Sequence, residues 1–179
     1  MKTFASVFTG FGGVEIGALE AGLKPIWAIE HDSKIASVFQ ANFDIEVIID
    51  DAQDVDPRNL DKVDVLWASP PCQAHSIASK VHREKRTDSE VAMCLIDYIQ
   101  ALKPRYFMIE NVLGFRHSES YQKIIQTLWV SGYFVNVSSL DAADYGVPQN
   151  RRRLILIAVK NGLVPSIPKA DKVSWGDVI

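Results

Sequence analysis

The sequence predicts an α/β fold with a mostly parallel sheet and helices on both of its faces. Short apolar runs of strand length alternate almost throughout with segments whose apolar residues recur at helical spacing. Hydrophobic residues make up 47% of the 179 residues, which is enough to build a core at this length. Because strand–helix alternation joins neighbouring parallel strands, the helices are expected to cover the sheet.

Seven runs are predicted to be strands, because each is short, apolar and bounded by turn residues. They span residues 3–8, 26–30, 47–49, 63–68, 106–109, 134–140 and 154–159. A helix is predicted over residues 14–21, with Gly22 placed to end it. A second helix is predicted to begin at Asp32 or Ser33, either of which is a suitable cap.

The clearest helix is predicted from about residue 88 to residue 102, after a capping box of Thr87 and Glu90. Its apolar face carries Val91, Cys94, Leu95, Tyr98, Ile99 and Leu102. A further one-sided helix is predicted from the spacing of Tyr121, Ile124, Ile125, Leu128 and Trp129.

The pattern predicts one domain over residues 1–162. Residues 163–179 include Pro165 and Pro168 and show little periodicity, so they are interpreted as a tail that leaves the domain.

Charge and cysteine content restrict the class of protein. The net charge of −3 counts against tight, independent binding to DNA, since basic residues cluster only at 80–86 and 151–153. Two cysteines provide neither a disulfide framework nor a zinc pattern, which favours a reducing, cytoplasmic setting. No signal peptide and no apolar run of about 20 residues are recognised.

A glycine-rich turn follows the first predicted strand, where open α/β sheets bind ligands. Gly10, Gly12 and Gly13 allow a sharp turn and a close approach of the backbone to a ligand. Glu30 ends the second strand and is placed to accept hydrogen bonds from ribose hydroxyls, and Asp51 is placed to contact an adenine amino group. The pattern indicates a cofactor that contains adenosine. A tight turn without a ligand stays open as the alternative.

The two cysteines lie in different surroundings. Cys94 falls on the apolar face of a predicted helix, which is typical of a small buried side chain. Cys72 follows Pro70 and Pro71 after the fourth strand, on a stiffened loop at the ligand edge of the sheet. We therefore predict that Cys72 is a nucleophile.

Two later segments are expected at the same edge. Glu110 ends the fifth strand, although a carboxylate there can equally serve as a cap for the next helix. Alternation along the final strand predicts that Gln149, Arg151 and Arg153 point one way. Arginines in such a place can hold phosphates or a carbonyl oxygen, and the alternative is a solvated face.

Taken together, these motifs resemble those of the DNA cytosine-5 methyltransferase family. Residues 8–13 look like its cofactor motif, 71–73 its nucleophile motif, 110–112 its acid motif and 149–153 its arginine motif. They occur in the family's order with compatible spacing. The resemblance implies a Rossmann-like methyltransferase fold that uses S-adenosylmethionine.

The resemblance also implies the reaction: transfer of a methyl group to C5 of a cytosine flipped out of DNA. Cys72 would add to C6 of the base, and Glu110 would hold a proton at N3. Arg151 and Arg153 would anchor the O2 of the base and the arrangement around Cys72, and Gln149 of the same motif is counted among the catalytic residues. The cofactor would be held by Phe8, Gly10, Gly12, Glu30 and Asp51. Residues 80–86 correspond to a loop that closes over the base.

The chain departs from the family pattern at several places. Ser6 stands where the family usually has Asp, and His75 stands where an aromatic residue is common. The family's mobile loop usually carries Asp-x-Arg, whereas here Arg86 comes two residues before Asp88. The family's target-recognition domain and final conserved stretch have no counterpart in the 179 residues.

Three interpretations of the function follow. The first is an active methyltransferase, alone or completed by a second polypeptide. The second is a remnant that binds cofactor or a partner without catalysis, and the third is an RNA cytosine methyltransferase.

Overall fold

The computed structural model describes residues 1–71, 91–174 and 176, and the statements below refer to these residues. A seven-stranded sheet forms the centre of the molecule. Its strands are β1 (Thr3–Val7), β2 (Lys24–Glu30), β3 (Glu46–Ile49), β4 (Val65–Ala68), β5 (Tyr106–Asn111), β6 (Tyr133–Asp141) and β7 (Arg152–Lys160). The α-helices in this part of the chain are α1 (Gly13–Glu20), α2 (Ser33–Asn42), α3 (Leu95–Leu102) and α4 (Glu119–Val130). Short 3₁₀ turns occur at Pro57–Asn59, Leu113–His117 and Ala142–Tyr145.

The strand order is β3-β2-β1-β4-β5-β7-β6. The first five strands in this order are parallel, whereas β7 runs antiparallel between β5 and β6. The chain builds outward from β1 to β3 and then returns to place β4 on the other side of β1. In open α/β sheets, such a reversal opens a crevice at the carboxyl ends of the strands. The predicted α/β fold is confirmed.

One large apolar core lies between the sheet and the helices α3 and α4. Four residues of the predicted apolar face, Leu95, Tyr98, Ile99 and Leu102, are buried in this core. The other two, Val91 and Cys94, precede α3 and are only half-buried. The start of the predicted helix lies partly outside the described residues. Within them, a turn at 93–94 interrupts it before α3. The backbone hydrogen bonds here join residues three apart, from Cys94 N to Val91 O (3.3 Å) and from Ile96 N to Met93 O (3.1 Å).

The predicted apolar face of α4 is wrong at one residue, Trp129. Ile124, Ile125 and Leu128 are buried, but Trp129 is 64% exposed. At about 100° of rotation per residue, position 129 lies at the margin of the stripe that the other three define.

The start of α2 and the end of α1 have the capping residues that the sequence predicts. Asp32 caps α2, because its Oδ1 accepts from the backbone N–H groups of Lys34 (2.8 Å) and Ile35 (3.3 Å). Gly22 follows α1 in the left-handed conformation, with φ of 71°. No helix of the described residues is long and apolar enough to cross a membrane.

Residues 163–174 form neither helix nor strand. They nevertheless contact the rest of the chain at Asp144, whose carbonyl oxygen accepts from Ala170 N (3.0 Å) and whose carboxylate pairs with Lys169 (2.7 Å) and Lys172 (3.3 Å). Their interpretation as a tail stays a prediction.

Candidate active site

The carboxyl ends of the parallel strands bring several of the predicted site segments to one edge of the sheet. The glycine turn follows β1, Glu30 ends β2, and Asp51 lies two residues beyond β3. The proline loop, which begins with Ser69, Pro70 and Pro71, follows β4, and Glu110 is the second-last residue of β5. Because β1 and β4 are neighbours, the glycine turn and the proline loop begin on either side of the crevice.

The glycine turn has an unusual backbone. Phe8, Gly10 and Gly12 all have positive φ angles, of 61°, 62° and 91°. Left-handed geometry is uncommon for phenylalanine and indicates a conformation imposed by its surroundings. Thr9 lies between two of these residues, and its N–H donates to Ile29 O of β2 (3.0 Å).

Glu30 fastens the same turn to the end of β2. Its Oε2 accepts from Gly10 N (3.0 Å), and its Oε1 accepts from Asp32 N (3.0 Å) and lies 3.0 Å from Nδ1 of the exposed His31. A carboxylate oxygen can accept more than one hydrogen bond, so capacity for a ribose hydroxyl remains.

The two glycines predicted to hold the cofactor are required for different reasons. A Cβ atom added to Gly12 would lie 2.2 Å from the Phe43 ring, so glycine is needed here for packing inside the protein. A Cβ added to Gly10 would meet no atom of the described residues within 4 Å. Within the described part of the chain, the space beside Gly10 is therefore open, and the buried carboxylate of Glu30 binds the backbone of Gly10.

Asp51 is half-buried beyond β3. Its Oδ1 accepts from Gln53 N (3.0 Å) and Gln53 Nε2 (3.3 Å), which closes a local turn. The remaining acceptor capacity of Asp51 is compatible with the predicted contact to an amino group.

The loop that leads towards Cys72 is anchored on both sides. Ser69 N donates to Val7 O (3.2 Å) at the end of β1. Asn111 is buried, and its Nδ2 donates to Pro70 O (3.0 Å). Its own Oδ1 accepts from Val112 N (2.8 Å). Asn111 thus fixes the proline loop to the end of β5, a role that sequence reasoning missed because only the motif's acid drew attention.

Glu110 and Arg153 form an ion pair, with Arg153 Nε 2.9 Å from Glu110 Oε1. Glu110 lies opposite Ile155 in the β5–β7 ladder, so Arg153 is its diagonal neighbour on the same face. Both side chains are about a quarter exposed, which leaves them accessible from the crevice.

The other residues of the arginine motif do not join this pair. Strand β7 begins at Arg152, whose Nε lies 3.4 Å from Asp141 Oδ2, so Arg152 and Arg153 point in opposite directions as alternation predicts. Gln149 and Arg151 precede the strand and are exposed. Arg151 contributes its backbone N–H to Asp141 Oδ1 (2.9 Å).

The predicted nucleophile, Cys72, and the segment 80–86 lie outside the described residues. Cys94 is described, and it is half-buried rather than fully buried as predicted. Burial raises the pKa of its thiol to about 12, with smaller contributions from Asp51 and Asp97. A thiol of this kind is poorly reactive.

Glu15 is a residue of the site that sequence reasoning missed. It is 1% exposed in the first turn of α1. Its Oε1 accepts hydrogen bonds from Ser6 Oγ and from Thr9 Oγ1 (2.7 Å), while its Oε2 is buried and finds no partner in the described part of the chain. Burial raises the pKa of this carboxyl, and the two hydroxyl donors offset part of the rise. An acid in the first turn of the helix that follows the glycine turn is the signal that could have identified it.

Two solved structures share this fold over nearly the whole chain. A DNA modification methyltransferase encoded within a prophage (E. coli) superposes with a TM-score of 0.81 and 24% identity, covering 99% of this chain and 54% of that one. The methyltransferase EhMeth of Entamoeba histolytica superposes with a TM-score of 0.80 and 19% identity, covering 97% of this chain and 57% of that one. These likenesses show the class: a Rossmann-like methyltransferase fold.

The family follows from sequence comparison. The family model described as C-5 cytosine-specific DNA methylase matches residues 2–175, so the chain belongs to that family. It is 32% identical to the Type II methyltransferase M.NgoPII of Neisseria gonorrhoeae over 97% of this chain and 55% of that protein. It is 30% identical to the Type II methyltransferase M.Bsp6I of Bacillus sp. (strain RFL6) over 90% of this chain and 53% of that protein. The chain spans about half the length of these curated relatives.

Proposed function

We propose that the chain carries the catalytic and cofactor-binding part of an S-adenosylmethionine-dependent DNA (cytosine-5-)-methyltransferase. The observation that carries the proposal is the Glu110–Arg153 pair, held at 2.9 Å on the crevice edge of a member of the C-5 cytosine methylase family. The pair stands beside the loop that leads to Cys72, because Asn111 follows Glu110 and binds Pro70.

The cofactor would be held at the glycine turn. Gly10 offers open space, Glu30 offers acceptors for ribose hydroxyls, and Asp51 offers an acceptor for an amino group. Phe8 lies in the strained turn between them, partly buried against the core. When bound there, S-adenosylmethionine supplies an electrophilic methyl group.

The protein's own groups would activate the cytosine. The Cys72 thiolate forms a bond to C6, and the electrons of the C5–C6 double bond become available at C5. Electron density also moves towards N3, where Glu110 holds a proton. Arg153 keeps the Glu110 carboxyl in place and presents N–H groups to the O2 of the base. After methylation, water takes the C5 proton, the electrons of the C5–H bond restore the C5–C6 double bond, and the bond from C6 to Cys72 breaks to release the thiolate.

Covalent trapping tests this proposal. The purified chain, S-adenosylmethionine and a DNA duplex containing 5-fluorocytosine are mixed and analysed for an adduct that resists denaturant. Fluorine cannot leave C5 as a proton does, so a working nucleophile remains attached. We expect an adduct that is lost in Cys72→Ser and retained in Cys94→Ser, the matched control. A tRNA in place of the duplex distinguishes an RNA substrate.

A specific surface observation favours a second candidate, a cofactor-binding subunit that acts only in a complex with another polypeptide. Phe11, Ile16 and Leu19, on or next to α1, are exposed by 64%, 54% and 50%. Large exposed apolar groups near a binding site are typical of a surface that another segment covers. Absence of any adduct, together with measurable S-adenosylmethionine binding and self-association in sedimentation, would favour this candidate over the first.

A further inference from the structure

Two glutamates accept hydrogen bonds from neighbouring residues of the glycine turn. Glu30, at the end of β2, accepts from the backbone of Gly10 (3.0 Å). Glu15, in the first turn of α1, accepts from the side chain of Thr9 (2.7 Å). The position of Gly10 relative to Glu30 therefore depends on where Thr9 is held.

Glu15 also reaches back to the strand that precedes the turn. Its Oε1 accepts from Ser6 Oγ in β1, so one carboxyl oxygen joins β1, the turn and α1. Ser6 and Glu15 are almost completely buried, at 0% and 1% exposure, and Thr9 is 8% exposed. The contact is therefore shielded from water, where such bonds have their largest effect on position.

The cost of burying this carboxyl indicates a purpose beyond packing. Oε2 has no hydrogen-bond partner among the described residues and is inaccessible to solvent. A buried polar atom left without a partner is unfavourable, and an apolar side chain of similar size would avoid it. An apolar side chain, however, could not accept the hydrogen bonds from Ser6 and Thr9.

We propose that Glu15 is a positioning residue for the cofactor turn, because its buried carboxyl joins Ser6 to Thr9 and so sets the place at which Gly10 meets Glu30. The inference rests on the proposed function in so far as the turn binds S-adenosylmethionine. Ser6 has the complementary part: a hydroxyl at this position donates to a carboxyl that comes from the helix.

This arrangement predicts that the carboxyl can be supplied from the other side. Because Ser6 Oγ and Thr9 Oγ1 donate to the same carboxyl oxygen, an aspartate in place of Ser6 would bring an acceptor near Thr9 from β1. In the wild-type background, Ser6→Asp would bring two carboxyls together and disturb the turn. Combined with Glu15→Ala, it would restore an acceptor for Thr9 Oγ1.

The test has a readout that needs no cofactor. Amide hydrogen exchange is measured at Thr9 and Gly10, with Phe107 and Ile109 of β5 as references. We expect Glu15→Ala to speed exchange at Thr9 and Gly10 more than at the β5 amides. Glu20→Ala, an exposed glutamate in the last turn of the same helix, is the matched control and should leave all four unchanged. Thr9→Val, which removes only a hydroxyl donor, should act in the same direction and covers the case that Glu15→Ala does not fold.

Calorimetric titration with S-adenosylmethionine gives the second readout. We expect Kd to rise about tenfold in Glu15→Ala, the factor that corresponds to one lost hydrogen bond, and to recover most of that loss in Ser6→Asp/Glu15→Ala. A purely structural role predicts instead that the double variant is worse than either single variant, and that result would overturn the proposal. Equal exchange rates at Thr9 and Gly10 in Glu15→Ala, Thr9→Val and Glu20→Ala would also overturn the proposal. Lack of binding by the wild type would count against the proposed function, whereas the exchange result would still decide the role of Glu15.

Discussion

Arg153 reaches across the β5–β7 pair and places its Nε 2.9 Å from Oε1 of Glu110. The two residues are 43 positions apart in the sequence, and the antiparallel register of β7 brings them together. Because the pair is about a quarter exposed, its value lies more in orienting two functional groups than in stabilising the fold.

Arg153→Ala is expected to lower the rate of methyl transfer by about 100-fold, the scale seen when one positioned donor is removed from a reacting oxygen. The free energy of unfolding should change by less than about 1 kcal/mol, since the pair is partly solvated. Single-turnover kinetics and urea unfolding measure the two effects. Arg152→Ala removes the neighbouring arginine, which pairs with Asp141 instead, and should retain most of the activity. Equal losses in the two variants would contradict a special role for Arg153.

Asn111→Asp is expected to impair both stability and reaction. The carboxylate cannot donate to Pro70 O, and a buried acceptor is left facing another acceptor. We expect a loss of about 1–3 kcal/mol in unfolding free energy, the usual cost of an unsatisfied buried group. Adduct formation should slow as well, because the loop to Cys72 loses its anchor. Asn136→Asp, on the exposed part of β6, is the control in urea unfolding and should be close to wild type.

The two glycines of the turn should respond differently to alanine. Gly10→Ala meets no atom within 4 Å and suffers only from its left-handed φ, which costs about 1 kcal/mol. Gly12→Ala adds a collision with the Phe43 ring, so the total should exceed about 2 kcal/mol. Thermal unfolding of Gly12→Ala, with and without Phe43→Leu, separates the two contributions. If Phe43→Leu rescues nothing, the collision is not the cause.

The buried carboxyl of Glu15 predicts a particular pH dependence. Burial raises its pKa above the usual value of 4.5, only partly offset by Ser6 and Thr9. An acid with a higher pKa in the folded state stabilises the fold below its unfolded pKa, and this contribution is lost as the pH rises through the folded value. The unfolding free energy of the wild type minus that of Glu15→Gln should therefore fall as the pH rises above the usual carboxyl pKa of 4.5. Urea unfolding at several pH values measures this difference, and a constant difference would show that Glu15 does not titrate abnormally.

Much of the fold could be predicted from the sequence because its signals are local. Each strand was visible as a short apolar run, and Asp32 and Gly22 carried cap signals that the structure confirms. The gathering of the glycine turn, Glu30 and Glu110 at one edge followed from the rule that parallel strands share a carboxyl edge. Trp129 shows the limit of a periodic pattern, which cannot fix the edge of a buried stripe.

The sequence by itself determined the α/β class, the order of the motifs and the sheet edge at which the glycine turn, Glu30 and Glu110 lie. Only the tertiary structure decided which side chains touch. Glu110 meets Arg153 rather than Arg151 because β7 begins at Arg152 and its register with β5 sets the diagonal neighbour. Glu15 lies inside the protein because the turn after β1 folds the first helix back over Ser6. Contacts between distant segments depend on register and on the direction of a side chain into the core, and neither is written in local spacing.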